Sequence, residues 1–246
     1  GITWVDLVFP FFLFAMGAAF PFSIKKRFEK GDTKLRLVYE AIKRGVQLTF
    51  FAIFIQHFYP YVLSNPQDVR AWLLSILCFI ILFPMFIRIP LKMPDCMRTV
   101  IKVTAYVIAI VLLLTTQYAN ERTFDVSFNN IIILLLANMA VFGSVIYIFT
   151  MQNLQARIGV LLILMALLLS GQVDNSWTQA IYTYTPLPWA FHFEYLQYLL
   201  IVIPGSIAGE YLMEWLKQHN DSSVESTNKW KAIVMILLTL AIIIVN

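Results

Sequence analysis

Residues 130–151 read NIIILLLANMAVFGSVIYIFTM, from Asn130 to Met151, without one charged side chain. A helix rises about 1.5 Å per residue, so a run of this length covers the roughly 30 Å hydrocarbon core of a bilayer. Seven further apolar runs flank it, at 4–24, 45–63, 71–89, 100–116, 158–170, 191–212 and 230–245. The chain of 246 residues is 60% apolar and only 13% charged, whereas soluble domains carry roughly 25% charged residues. A water-soluble core of this size has no room for so much apolar surface. The fold class that follows is all-α: a polytopic transmembrane helix bundle of about eight helices, forming one domain over residues 1–246 and surrounded by lipid.

The polar residues between the runs set the orientation. Lys25, Lys26, Arg27, Lys30, Lys34, Arg36, Lys43, Arg44, Arg88, Lys92, Arg98, Lys102, Arg157, Lys217, Lys229 and Lys231 fall on one side of an alternating path. Only Arg70 and Arg122 fall on the other. The positive-inside rule places the first set in the cytoplasm, with residue 1 and the 171–190 loop on the non-cytoplasmic side. Trp4, Trp72, Trp177, Trp189, Trp215 and Trp230 stand near run ends, as an aromatic belt at the headgroups requires. The basic 25–44 connection reads as a solvated loop or an interfacial amphipathic helix. The formal charge of +4 is explained by this topology and gives no sign of nucleic-acid binding. Cys78 and Cys96 lack disulfide or metal spacing, and no metal site is expected. The opening at Gly1, with an apolar run almost at once, reads as a segment of a longer membrane protein.

Ionisable residues at membrane depth are the first candidates for chemistry, because burying one is costly without a partner. Asp6, His57, His192 and Glu194 all lie toward the outward ends of their runs, and Glu210 lies near the inner end of its own. A carboxylate within reach of a histidine can orient it as a general base. Two segments favour close backbone approach: Phe14-Ala15-Met16-Gly17-Ala18-Ala19, and Pro204-Gly205-Ser206-Ile207-Ala208-Gly209 with its GxxxG spacing. Pro10 is expected to bend the first helix.

The opening Gly1-Ile2-Thr3-Trp4-Val5-Asp6-Leu7-Val8-Phe9-Pro10-Phe11-Phe12-Leu13-Phe14-Ala15-Met16-Gly17 resembles the signature segment of the heparan-alpha-glucosaminide N-acetyltransferase family and its bacterial relatives. Phe193–Leu199 and Ile203–Glu210 resemble segments of the bacterial branch. The resemblance implies a multi-pass transferase in a bacterial cytoplasmic membrane. Such an enzyme moves acetyl from cytoplasmic acetyl-CoA, the donor substrate, to a sugar or glycan acceptor such as an amino sugar across the membrane. The family's active histidine precedes the Gly-Ile-Thr segment, so it and its helix would lie upstream of Gly1. The resemblance places Asp6 beside that histidine as a catalytic residue and Arg44 in a position that binds the phosphates of CoA. His57, His192 and Glu194 are then expected at the acceptor, and a homo-oligomer is compatible with all of this. Where the eukaryotic member has an Arg-Ile-Pro-Gly stretch, this chain reads Arg70-Ala71-Trp72-Leu73 and keeps only the arginine. Two other classes fit the same residues: a proton-coupled secondary transporter or flippase using the outward acids and histidines, and a non-catalytic membrane scaffold.

Overall fold

The computed structural model describes residues 4–86, 94–119, 122–173 and 176–220; the side chains of 4–6 and 219–220 lie outside that description. Among the described residues every regular element is a helix: α1 (Trp4–Phe20), α2 (Lys26–Glu29), α3 (Lys34–His57), α4 (Pro60–Leu63), α5 (Val69–Phe86), α6 (Asp95–Thr115), α7 (Ile131–Thr150), α8 (Leu154–Ser170), α9 (Trp177–Tyr182) and α10 (Leu199–Asn220). A π turn (Pro21–Lys25) joins α1 to α2, and a 3₁₀ turn (Phe193–Tyr198) leads into α10. The last expected span, 230–245, lies outside the described residues.

Among the described residues five helices are long and apolar enough to cross a membrane: Leu7–Glu29, Val69–Phe86, Asp95–Thr115, Ile131–Thr150 and Phe193–Gln218. Their outer faces carry large apolar side chains, such as Phe11 at 66%, Leu114 at 64% and Ile132 at 58% exposure. Apolar exposure on this scale suits a lipid solvent rather than water. The chain is an integral membrane protein.

The basic 25–44 connection is neither a loop nor an interfacial helix. The first helix continues past Pro10, widens into the π turn beginning at Pro21, and ends at Glu29. A tight turn follows, in which Gly31 takes φ = 100°, a conformation open to glycine and strained for residues with a Cβ. Arg27 Nε donates to Asp32 at 2.9 Å, and Thr33 caps the next helix by accepting from the Arg36 amide at 3.3 Å. Thus α3 begins at Lys34, well before the expected 45, and its 24 residues rise about 36 Å. Charge density misled the boundary: the basic residues are the first turns of a helix, and hydropathy alone ends the run too early.

Two packed clusters hold the bundle. One gathers Leu13, Phe20, Met139, Tyr147, Leu199 and Val202 between α1, α7 and α10. The other gathers Phe54, Phe58, Cys78, Leu82, Met85 and Ala109 between α3, α5 and α6. The α3–α7 contact joins them. These two helices run antiparallel: Lys34 lies over the Phe149 ring, Gly45 faces Ala137 and Val141, and the Asn130 amide donates to the Ala52 carbonyl at 3.0 Å. By contrast α1 and α10 run parallel, with Phe9 edge-on to Tyr198 and Ala18 against Gly209.

The α1–α10 seam is where the two small-residue segments meet. A Cβ added at Gly17 would collide with the Val202 carbonyl, one at Gly205 with the Phe14 carbonyl, and one at Gly209 with the Ala18 carbonyl. The backbones therefore touch directly. Close packing of this kind is a main source of helix association in lipid, where no hydrophobic drive separates helix from solvent.

Candidate functional site

The helices α1 and α3 both rest on α7 but barely on each other. Between them opens a cleft of about 500 Å³, lined among others by Ala15, Ser23, Arg27, Glu40, Arg44 and Ser144. Its charges are not equivalent. Arg27 and Arg36 share the carboxylate of Asp32, at 2.9 and 3.1 Å. Glu40 and Arg44, one turn apart on α3, have no ion pair or hydrogen bond among the described residues.

Their depth is unexpected. Arg44 is next to Gly45, which packs on Ala137 and Val141 near the middle of α7. It therefore stands roughly 15 Å along α3 from Lys34, not at the start of the helix. An unpaired guanidinium at that level is tolerated only where a wetted cleft reaches it. Above Arg44 the lining turns apolar, with Phe12, Leu48 and Leu136.

A second polar region lies at the other end. His57 closes α3 and is 2% exposed. Its Nδ1 is 2.8 Å from the Ile53 carbonyl, which fixes the proton there and leaves Nε2 as an acceptor, facing the Asp125 amide at 3.4 Å. Tyr118, Phe124 and Phe128 surround the ring at 5.2–5.3 Å. Burial pushes the Tyr118 phenol up to about 12, and its hydroxyl donates to the Leu113 carbonyl at 2.8 Å. The carboxylate near His57 belongs to Asp125, a residue that sequence reasoning passed over because it lies in a loop. Beside it a cavity of about 470 Å³ is lined by His57, Arg122, Thr123 and Asp125.

Of the outward candidates, His57, His192 and Glu194 have described side chains, and each has different neighbours. His192 Nε2 meets the Pro188 carbonyl at 2.8 Å and its ring sits 4.9 Å from Tyr195. Glu194 is exposed and lies near Tyr182, where burial first and the carboxylate second push the phenol up. Asp6 has its backbone in α1, and its side chain lies outside the described residues. The parallel register that pairs Phe9 with Tyr198 sets residue 6 level with the turn carrying Glu194.

One charged residue was misread altogether. Arg157, expected from its place between two runs to be a topological charge in a turn, is inside α8 and 1% exposed. Nη1 and Nη2 reach Glu210 at 3.0 and 3.1 Å, and Nη1 also reaches Ser206 Oγ at 3.5 Å. Nε and Nη2 reach Thr150 Oγ1 and its carbonyl at 3.2 and 3.1 Å. The Thr150 and Ser206 hydroxyls donate back to Ile146 and Ile203, so their lone pairs are free to face the guanidinium. Tyr147 donates to Glu210 at 2.9 Å and lies with its ring 4.6 Å from the guanidinium carbon. Every donor of Arg157 is used, so this cluster is a clamp on α7, α8 and α10 rather than an open site. The available signal was the pairing of a lone arginine ahead of the 158–170 run with Glu210.

Among the described residues no three His, Cys, Asp or Glu side chains gather as a metal site. Comparison with known proteins gives no match among curated proteins and none among solved structures. A family model does match, over residues 1–212. The chain belongs to that family, the domain of unknown function DUF5009.

Proposed function

We propose that this chain is the membrane domain of an acyltransferase of a bacterial cytoplasmic membrane, carrying an acyl group (acetyl) from cytoplasmic acyl-CoA toward a sugar acceptor on the other side. The observation that supports it is the unpaired Arg44 in a cleft open at the basic end of the bundle. A guanidinium without a protein counter-charge is suited to a phosphate, which it binds through paired N–H donors. In the transfer the thioester C–S bond breaks, the acyl carbon bonds to the acceptor nitrogen or oxygen, and the displaced proton goes with the CoA thiol. Asp6, within the signature segment at the outward end of α1, orients the upstream histidine or holds the accepting group in this reading. His57, His192 and Glu194 serve the acceptor on the outward side. Kinetics on inside-out vesicles test it: Arg44→Ala raises KM for acyl-CoA roughly ten- to a hundredfold, as loss of a charge-assisted contact of about 1.5–3 kcal/mol requires, and barely changes KM for the acceptor. An unchanged donor KM sinks the assignment of Arg44.

Glu40 favours a second reading, a proton-coupled transporter, because an unpaired carboxyl beside a cleft at this depth can carry a proton. A substrate-dependent proton current in proteoliposomes without release of CoA thiol selects that reading. Neither signal leaves a scaffold.

A further inference from the structure

We propose that the α1–α3 cleft also binds a zwitterionic phospholipid with a primary amine, drawn from the cytoplasmic leaflet, its phosphate on Arg44 and its ammonium on Glu40. The proposal goes beyond the acyl-CoA reading and does not depend on it, although both use Arg44.

The order of groups along the cleft carries the inference. From the basic end come Arg27, paired with Asp32, a carboxylate it shares with Arg36, then Glu40, then Arg44 one turn deeper, then the apolar lining of Phe12, Leu48 and Leu136. Read in the same direction, a phosphoethanolamine lipid presents ammonium, phosphate and acyl chains. The i, i+4 spacing of Glu40 and Arg44 puts their Cβ atoms about 5–6 Å apart on one face, suited to the two-carbon link between ammonium and phosphate. An anionic lipid satisfies Arg44 and leaves Glu40 facing like charge. A zwitterion leaves neither group unpaired, which matters at this depth, where each unpaired charge is costly.

Access also fits. With α1 and α3 both seated on α7 and barely on each other, the cleft opens sideways between two helices whose outer faces are apolar, including Phe11, Ile42 and Val46. A lipid can enter laterally without leaving the bilayer. The volume of about 500 Å³ takes a headgroup and the upper part of its chains, and the remainder stays in the membrane.

The test uses the full chain, purified in a non-ionic detergent and stripped of lipid. Binding of short-chain phosphatidylethanolamine and phosphatidylglycerol is read by native mass spectrometry and by thermal unfolding. The expected wild-type result is at least tenfold tighter binding of the ethanolamine lipid. Glu40→Gln brings the two lipids to parity, and Arg44→Gln weakens both by tenfold or more, with each variant checked for an unchanged gel-filtration profile and helix content. Equal affinity in the wild type, or a preference that survives Glu40→Gln, overturns the proposal. So does an absence of binding by either lipid, which means that the cleft is filled by another part of the chain. Added CoA separates the two readings. Displacement of the lipid by CoA supports both, and a lipid that CoA leaves in place keeps the lipid proposal while removing Arg44 from donor binding. CoA binding with no lipid binding overturns the lipid proposal alone.

Discussion

Arg157 and Glu210, 53 residues apart, meet through two parallel hydrogen bonds of 3.0 and 3.1 Å with the arginine 1% exposed. This fork joins α8 to α10 beside the α7–α8 turn, and Thr150 and Tyr147 extend it to α7.

Breaking that fork on one side leaves a buried charge uncompensated, which typically costs about 3–5 kcal/mol. Glu210→Gln is therefore expected to lower the thermal midpoint markedly in detergent. Replacing both partners, Arg157→Met with Glu210→Leu, should recover most of the loss. A double variant as unstable as the single one would mean that the charges themselves, not their pairing, hold the helices.

The glycine seam gives a sharper contrast. Gly17→Leu drives a side chain into the Val202 backbone, and backbone cannot move aside as a rotamer can. Overpacking of this type costs about 1–3 kcal/mol or more. Gly159, with nothing within 4 Å of a built Cβ, is the control: Gly159→Ala should be neutral or slightly stabilising, since alanine is the better helix former by roughly 1 kcal/mol. Thermal unfolding followed by helix content reads both.

Topology is checked by labelling. In a background lacking Cys78 and Cys96, single cysteines at Asn65, Asn129 and Gln179 should react with a membrane-impermeant thiol reagent from outside. Cysteines at Gln155 and Ser222 should not. Outside labelling near 222 would reverse the sense of α10 and with it the reading of the basic residues.

Asp6→Asn in the full-length protein is expected to reduce acyl transfer at least about tenfold, roughly 1.4 kcal/mol in the barrier, with normal expression. Wild-type turnover would leave Asp6 as an interfacial residue at the end of α1.

The fold was largely legible because lipid imposes a simple rule: each run must be long, apolar and helical. Residues 130–151 map onto Ile131–Thr150 almost without change, and the two small-residue segments face each other as their composition suggested. What failed was depth. Hydropathy treats Lys43 and Arg44 as the end of a helix, whereas they lie near its middle, Arg44 lining the cleft beside α1. The same blindness put Arg157 in a turn. Its burial depends on Thr150, Ser206 and Glu210 converging from two other helices, which no local pattern reveals. His57 stands out in the sequence as an ionisable residue near a run end and is buried in the structure, but its neighbour Asp125 is reached across 68 positions and is silent in sequence.

Backbone contact along Gly17, Gly205 and Gly209 has a mechanical consequence. Two helices that interlock at their main chains cannot slide or roll past one another without one carbonyl climbing over another. Thus α1 and α10 form a stator, further pinned to α7 and α8 by the arginine clamp. The α3–α7 boundary has one glycine contact, at Gly45, facing the Val141 side chain, and a side chain can change rotamer where a carbonyl cannot.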